Sequence, residues 1–266
     1  MLETITLAVE DGVATLTLAR APKRNALSRR MIDELHEAAR RLGADDAVRA
    51  VVLAAEGAFF CAGGDLAWMR EQMASDAATR AEGARALAAM LGALDALPKP
   101  LIGRVQGSAF GGGLGLISVC DVAVAASDAR FGFTETRLGL IPATIGPYVV
   151  ARMGGANARR VFMSGRVFEA REAQRLGLLA AAVLPGELDA AVEAQLAPYR
   201  DAAPGAVAEA KALVRRLGGA PTPEDVALSV EALVARWESE EAREGIDAFF
   251  ARRPPPWAAR RGGATS

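Results

Sequence analysis

Residues 101–126, LIGRVQGSAFGGGLGLISVCDVAVAA, decide how the chain is read. LIGRV (101–105) has the apolar, β-branched character of a strand, Gly111-Gly112-Gly113 opens a short helix, and DVAVA (121–125) returns to strand. Strand, glycine run, helix and strand in succession indicate an α/β fold. Glycines there permit positive φ and let a ligand approach the main chain closely. A helix that begins in such a run presents unpaired N–H groups at the positive end of its macrodipole, a setting that suits a phosphate or a developing oxyanion. The run is not a Walker loop, because no Lys-Ser/Thr pair follows, and it lacks the GxGxxG spacing and distant acid of a dinucleotide site.

Upstream, FFCAGGDL (59–66) follows the apolar strand AVVLAA (50–55) and repeats the same device. TITLAV (4–9) and VATLTL (13–18) flank Glu10-Asp11-Gly12 and predict a hairpin. Ser28 reads as an N-cap, Met31, Leu35, Ala38, Ala39 and Leu42 recur at helical spacing, and Gly43 stands where a glycine ends a helix. An Ala-rich helix is expected over 76–97, ended by Pro98 and Pro100. RFGF (130–133) is a further strand. Past about residue 144 strand signals cease, and segments near 156–163, 170–176, 187–199 and 205–217 read as helices. Thr222-Pro223-Glu224-Asp225 starts another, which runs on towards Phe250. The expected organisation is an α/β body over 1–195 and a helical region over 196–266.

The bulk properties narrow the function. The chain has 266 residues and a formal net charge of −1, so neither nucleic acid nor an anionic membrane is an expected partner. Cys61 and Cys120 lack metal-ligand spacing, and no metal is expected; a reducing compartment is the natural reading. The start, MLETITLAVEDG, does not read as a secretory signal, and no apolar run is long enough to span a bilayer, so a cytoplasmic protein is expected. His36 is the only histidine and is placed on a polar helix face, which removes histidine-based hydrolase chemistry.

FCAGGDL and QGSAFGGGLGL, the latter followed by CDVAVAASDARFGFTETRLGLIP, resemble the two signatures of the enoyl-CoA hydratase/isomerase (crotonase) family. The likeness runs from NALS (25–28) to FFARRPPPW near the end. It implies a crotonase-like ββα spiral with a helical C-terminal trimerisation region, and an acyl-CoA substrate. Coenzyme A would arrive on the substrate, with no other cofactor, and the assembly would be a homotrimer or homohexamer. Carried over position by position, the resemblance assigns the oxyanion amides to Gly64 and Gly112 and the acid/base carboxyl to Glu135. Arg24, Ala26, Ala62, Asp65, Leu66 and Arg252 would meet coenzyme A, Arg252 across a subunit boundary. Trp68, Met69, Leu140 and Tyr148 would line the acyl pocket, and Cys61 would be inert packing.

One position departs from the pattern. Hydratases of the family often carry a second glutamate three residues after the middle glycine, and here that residue is Gly115. With Glu135 alone, one carboxyl must serve as base and then acid, or another group must hold the water; Thr134, Thr136 and Tyr148 are the candidates by sequence proximity. A single glutamate also suffices for a 3,2-enoyl-CoA isomerase. The wording GGGLGL…TETRLGLIPATIGPYVVARMG resembles a hydratase branch that acts on 3-methylglutaconyl-CoA in leucine breakdown or on related isoprenoid-derived thioesters. A non-catalytic relative that binds acyl-CoA or RNA is the reading from another class, and the retained Glu135 speaks against it.

Overall fold

The structure, a computed structural model, describes residues 2–257. Its first half runs β1 (Ile5–Glu10), β2 (Val13–Leu18), α1 (Arg29–Ala44), β3 (Ala50–Ala55), β4 (Phe59–Cys61), α2 (Leu66–Ala74), α3 (Ala77–Asp95), β5 (Leu101–Val105), β6 (Ser108–Phe110) and α4 (Gly112–Ser118). Then come β7 (Val122–Ala126), β8 (Arg130–Gly132), α5 (Gly146–Met153), α6 (Gly155–Phe162), β9 (Val167–Glu169), α7 (Ala170–Arg175) and β10 (Ala181–Val183). Four helices close the chain: α8 (Leu188–Arg200), α9 (Pro204–Leu217), α10 (Pro223–Trp237) and α11 (Glu240–Phe250).

The strands form two sheets, in the orders β1-β2-β3-β5-β7-β10 and β4-β6-β8-β9. Successive turns of chain give one strand to the larger sheet, one to the smaller, and then helix: β3, β4 and α2–α3; β5, β6 and α4; β7, β8 and α5–α6. This is the expected ββα spiral. Pairing is parallel from β2 to β10 in the larger sheet, and antiparallel only in the β1–β2 hairpin. Parallel strands covered on both faces read as unbroken apolar runs, which is why AVVLAA shows no alternation and is buried throughout. The main core, with Leu16, Leu53, Leu101, Phe60 and Phe131, lies between the sheets and α1, α3, α4 and α5. On the outer face Leu188, Val192 and Leu196 of α8 pack over Val52, Ile102 and Val124. The boundary expected after residue 195 falls inside α8.

Three local expectations change. Strands do occur beyond residue 144, but β9 and β10 are three residues each, both on sheet edges and β10 mostly alanine, so neither carries a periodic signal. Gly43 does not end α1; the helix continues to Ala44, and a Cβ at Gly43 would sit 3.4 Å from Pro98 Cδ, so the glycine serves close packing. The terminal helical run is broken at Ser239, whose hydroxyl accepts from Ala242 N–H and starts α11. Among the described residues, no helix is long and apolar enough to cross a membrane.

Candidate active site

β4 and β6 are neighbours in the smaller sheet, with Phe59 opposite Ser108 and Cys61 opposite Ala109. The loops that follow them therefore leave from the same sheet edge, and the two glycine runs meet there. A Cβ on Gly63 would lie 3.1 Å from Phe110 O, and one on Gly113 would lie 2.6 Å from Cys61 O. Gly111 adopts φ 50°, ψ −119°, a conformation open to glycine and hardly to any other residue.

Leu27 pairs with this loop through a parallel bridge: Leu27 N–H donates to Gly63 O at 2.7 Å, and Asp65 N–H donates to Leu27 O at 2.9 Å. Because the bridge uses the groups of residues 63 and 65, the N–H of Gly64 is turned to the opposite side. Gly112 is the first residue of α4 and has no helical acceptor. Neither amide donates a hydrogen bond within the protein among the described residues. The two N–H groups are free to serve a ligand.

Glu135 opens a short 3₁₀ turn (Glu135–Leu138) just past β8, and β8 pairs with β6. This register brings the carboxyl to the glycine run: its Oε1 is 2.9 Å from where a Cβ on Gly111 would stand. Oε2 is sealed from solvent and has no hydrogen-bond partner. Burial pushes the carboxyl up to about 7, outweighing a hydrogen bond from its own backbone N–H that acts the other way. A carboxyl poised near neutrality can both accept and return a proton.

Two cavities meet at these groups. Both are lined by Gly64, Met69, Gly112, Glu135 and Leu140. The larger, about 890 Å³, has Arg24, Ala26, Ala62, Asp65 and Leu66 on its wall. Lys23 and Arg137 join Arg24 there and give it a cationic side. Arg24 stacks over the Phe59 ring at 5.0 Å. The Asp65 side chain acts within the fold, capping α2 at Ala67 and Trp68 and pairing with Arg20 at 3.0 Å. Burial works against its charge, but Arg20 and the two amides together hold it below the usual carboxylate range.

The smaller cavity, about 130 Å³, is walled by Trp68, Met69 and Leu140, with Ile141 to Ile145 and Trp237 closing it. Two of the residues named from the sequence are not on the walls of these two cavities. Tyr148 lines neither cavity; it is buried in the core, and its hydroxyl donates to Ala88 O at 3.2 Å because α5 turns that face towards α3. Arg252 also lines neither; it sits exposed at the end of α11 with φ 53°. His36 is half-buried rather than fully exposed, with an unpartnered Nδ1, and lines neither cavity.

Gly115 is closed to any side chain: a Cβ there would be 2.5 Å from Ile145 Cγ2 and 3.1 Å from Ile145 Cβ. Glu135 is accordingly the only carboxylate on the wall of the smaller cavity among the described residues. Cys61, behind Gly113, is fully buried and its thiol is pushed up to about 12, so no thiolate is available near neutrality. Thr144, Ile145, Leu233 and Trp237 escaped the sequence reading, since no local pattern marks a residue that reaches the site only through packing.

Comparison with known proteins gives a consistent picture. Residues 8–260 match the family described as enoyl-CoA hydratase/isomerase. Enoyl-CoA hydratase ACTT6 of Alternaria alternata is 36% identical over 217 residues, covering 81% of this chain and 71% of the relative. The crystal structure of an enoyl-CoA hydratase from Mycobacterium avium superposes with a TM-score of 0.86 at 33% identity, over 97% of this chain and 100% of the other. That of an enoyl-CoA hydratase from Shewanella pealeana gives 0.79 at 36% identity, over 96% of each chain.

Proposed function

The chain belongs to the enoyl-CoA hydratase/isomerase family, and on that premise we propose that it adds water across the double bond of a 2,3-enoyl-CoA thioester. The observation that carries this reading is the meeting of two unpaired main-chain amides and one buried carboxyl with an unpaired oxygen at the junction of two cavities. The larger cavity, with its cationic side, suits the nucleotide and pantetheine of coenzyme A. The smaller, mostly apolar one suits the acyl group.

In the proposed reaction the thioester oxygen accepts from Gly64 N–H and Gly112 N–H. Glu135 takes a proton from water as the water oxygen bonds to C3. The π electrons of the C2–C3 bond move towards the thioester and give an enolate-like state, and Glu135 then delivers its proton to C2. The two amides favour that state over the ground state, each such donor being worth about 3 kcal/mol of barrier. Arg80 is the only basic side chain lining the acyl cavity among the described residues. Its Nε and Nη2 donate to Gln72 O and Met73 O at 2.9 and 3.2 Å, and its remaining terminal nitrogen supports, with the motif wording, a 3-methylglutaconyl-type substrate whose second carboxylate it would receive. Leu213, Val214, Leu217 and Leu228, exposed on α9 and α10, support the expected trimeric or hexameric assembly, and the contact of Arg252 with a neighbour's nucleotide belongs to the same proposal.

The isomerase reading is favoured by one observation, the closure of Gly115 by Ile145, which leaves a single carboxylate beside the acyl group. Incubating the protein with crotonyl-, 3-methylglutaconyl- and 3-enoyl-CoA in heavy-oxygen water separates the two. Label in the product from a 2-enoyl thioester is the expected result. Double-bond migration without label would replace hydratase by isomerase, and coenzyme A binding without turnover would point to a non-catalytic member.

A further inference from the structure

The missing glutamate raises the question of what holds the water. The sequence neighbours of Glu135 do not answer it. The Tyr148 hydroxyl is engaged with Ala88 O. Thr136 lines neither cavity, and its Oγ1 faces Gly165, 2.9 Å from where a Cβ there would stand. Thr134 lies on the wall of the larger cavity, away from the acyl space.

The smaller cavity offers another group. Thr144 is on its wall, is only 3% exposed, and its Oγ1 is sealed from solvent with no hydrogen-bond partner. Buried hydroxyls are nearly always paired, and an unpaired one is costly to the fold. Glu135 Oε2 is unpaired in the same way, and Glu135 lines the same cavity. Two residues on the wall of one small cavity thus each carry an oxygen with no protein partner, a water takes two to four such partners, and about 130 Å³ exceeds the space it needs. The chain connectivity adds a third point. Ile145, which fills the space at Gly115, is the next residue, so the segment that closes the position of the second glutamate also places a threonine on the wall of the acyl cavity.

We propose that Thr144 is the water-positioning residue of this enzyme: its hydroxyl and the Glu135 carboxyl hold between them the water that attacks C3. This rests on the hydratase reading given above. Thr144 neither gains nor loses a proton. Its hydroxyl accepts from or donates to the water, while the water's proton passes to Glu135 and the π bond between C2 and C3 opens as the C3–O bond forms.

Thr144→Val keeps the shape and removes the hydroxyl. Loss of water positioning lowers kcat for hydration about a hundredfold with KM nearly unchanged. Because the hydroxyl has no protein partner, the same change leaves the denaturation midpoint equal to or above that of wild type. Thr144→Ser, which keeps the hydroxyl, stays within about tenfold of wild type, the positioning group being retained. The inference is overturned if Thr144→Val hydrates at the wild-type rate, if it loses activity only in step with stability, or if Thr144→Ser is no better than Thr144→Val. Absence of heavy-oxygen incorporation by the wild type would instead remove the hydratase reading itself, so the two failures are distinguishable.

Discussion

Replacement of Glu135 by Gln tests the site through stability as well as rate. The carboxyl is raised from 4.5 to about 7 by burial. The sign follows from linkage: between those values the folded chain binds more protons than the unfolded chain, so stability falls as pH rises through that window. At about 1.4 kcal/mol per tenfold, the ionised carboxyl costs the fold on the order of 3 kcal/mol at pH 8, and none of that cost is present below pH 4.5. Gln cannot ionise. Urea unfolding of both proteins from pH 4.5 to 8.5 should therefore show the variant gaining on wild type by about 3 kcal/mol across the range, most of it between pH 5 and 7. Any constant offset from the buried amide does not affect this slope. The same substitution should lower hydration at least about a hundredfold with coenzyme A affinity near normal. A stability difference that stays flat with pH would refute the desolvation of the Glu135 carboxyl. A flat difference together with normal turnover would remove Glu135 from the mechanism.

Other outcomes follow from the same geometry. Hydration should require ionised Glu135, so kcat/KM should fall with decreasing pH below about 7 with a slope of one; a midpoint near 4.5 would show that burial does not act on this group. Gly115→Glu should destabilise the protein by at least about 2 kcal/mol, measured by thermal unfolding, because its Cβ would stand 2.5 Å from Ile145 Cγ2 and the new charge would be buried. Gly64→Ala should retain most activity, since its Cβ would meet Met69 at 3.6 Å, whereas Gly112→Ala should lose more, since its Cβ would press on Leu27 Cδ1 at 2.8 Å; steady-state kinetics of the pair would show the order. Arg80→Met should raise KM for 3-methylglutaconyl-CoA and leave that for crotonyl-CoA nearly unchanged, as expected when only one of the two substrates carries a second carboxylate.

Much of the arrangement was legible in the chain because it rests on local backbone rules. AVVLAA and LIGRV could be read as strands from their composition alone, and both coincide with β3 and β5. The two glycine runs announced a close approach of main chain to ligand, and the structure brings Gly64 and Gly112 to the same pair of cavities. Thr222 and Ser28 are caps as their positions implied. These features depend on φ, on hydrogen-bond donors and on side-chain spacing within a few residues, and a sequence states those directly.

The tertiary structure alone decided which groups share a wall. Tyr148 and Thr144 are four residues apart, yet the start of α5 turns the tyrosine into the core and leaves the threonine on the acyl cavity. Ile145 meets Gly115 and Trp237 reaches back across the site, through contacts between residues far apart in the chain. The raised Glu135 carboxyl likewise comes from burial by packed neighbours, a property of the assembled interior that no short segment contains.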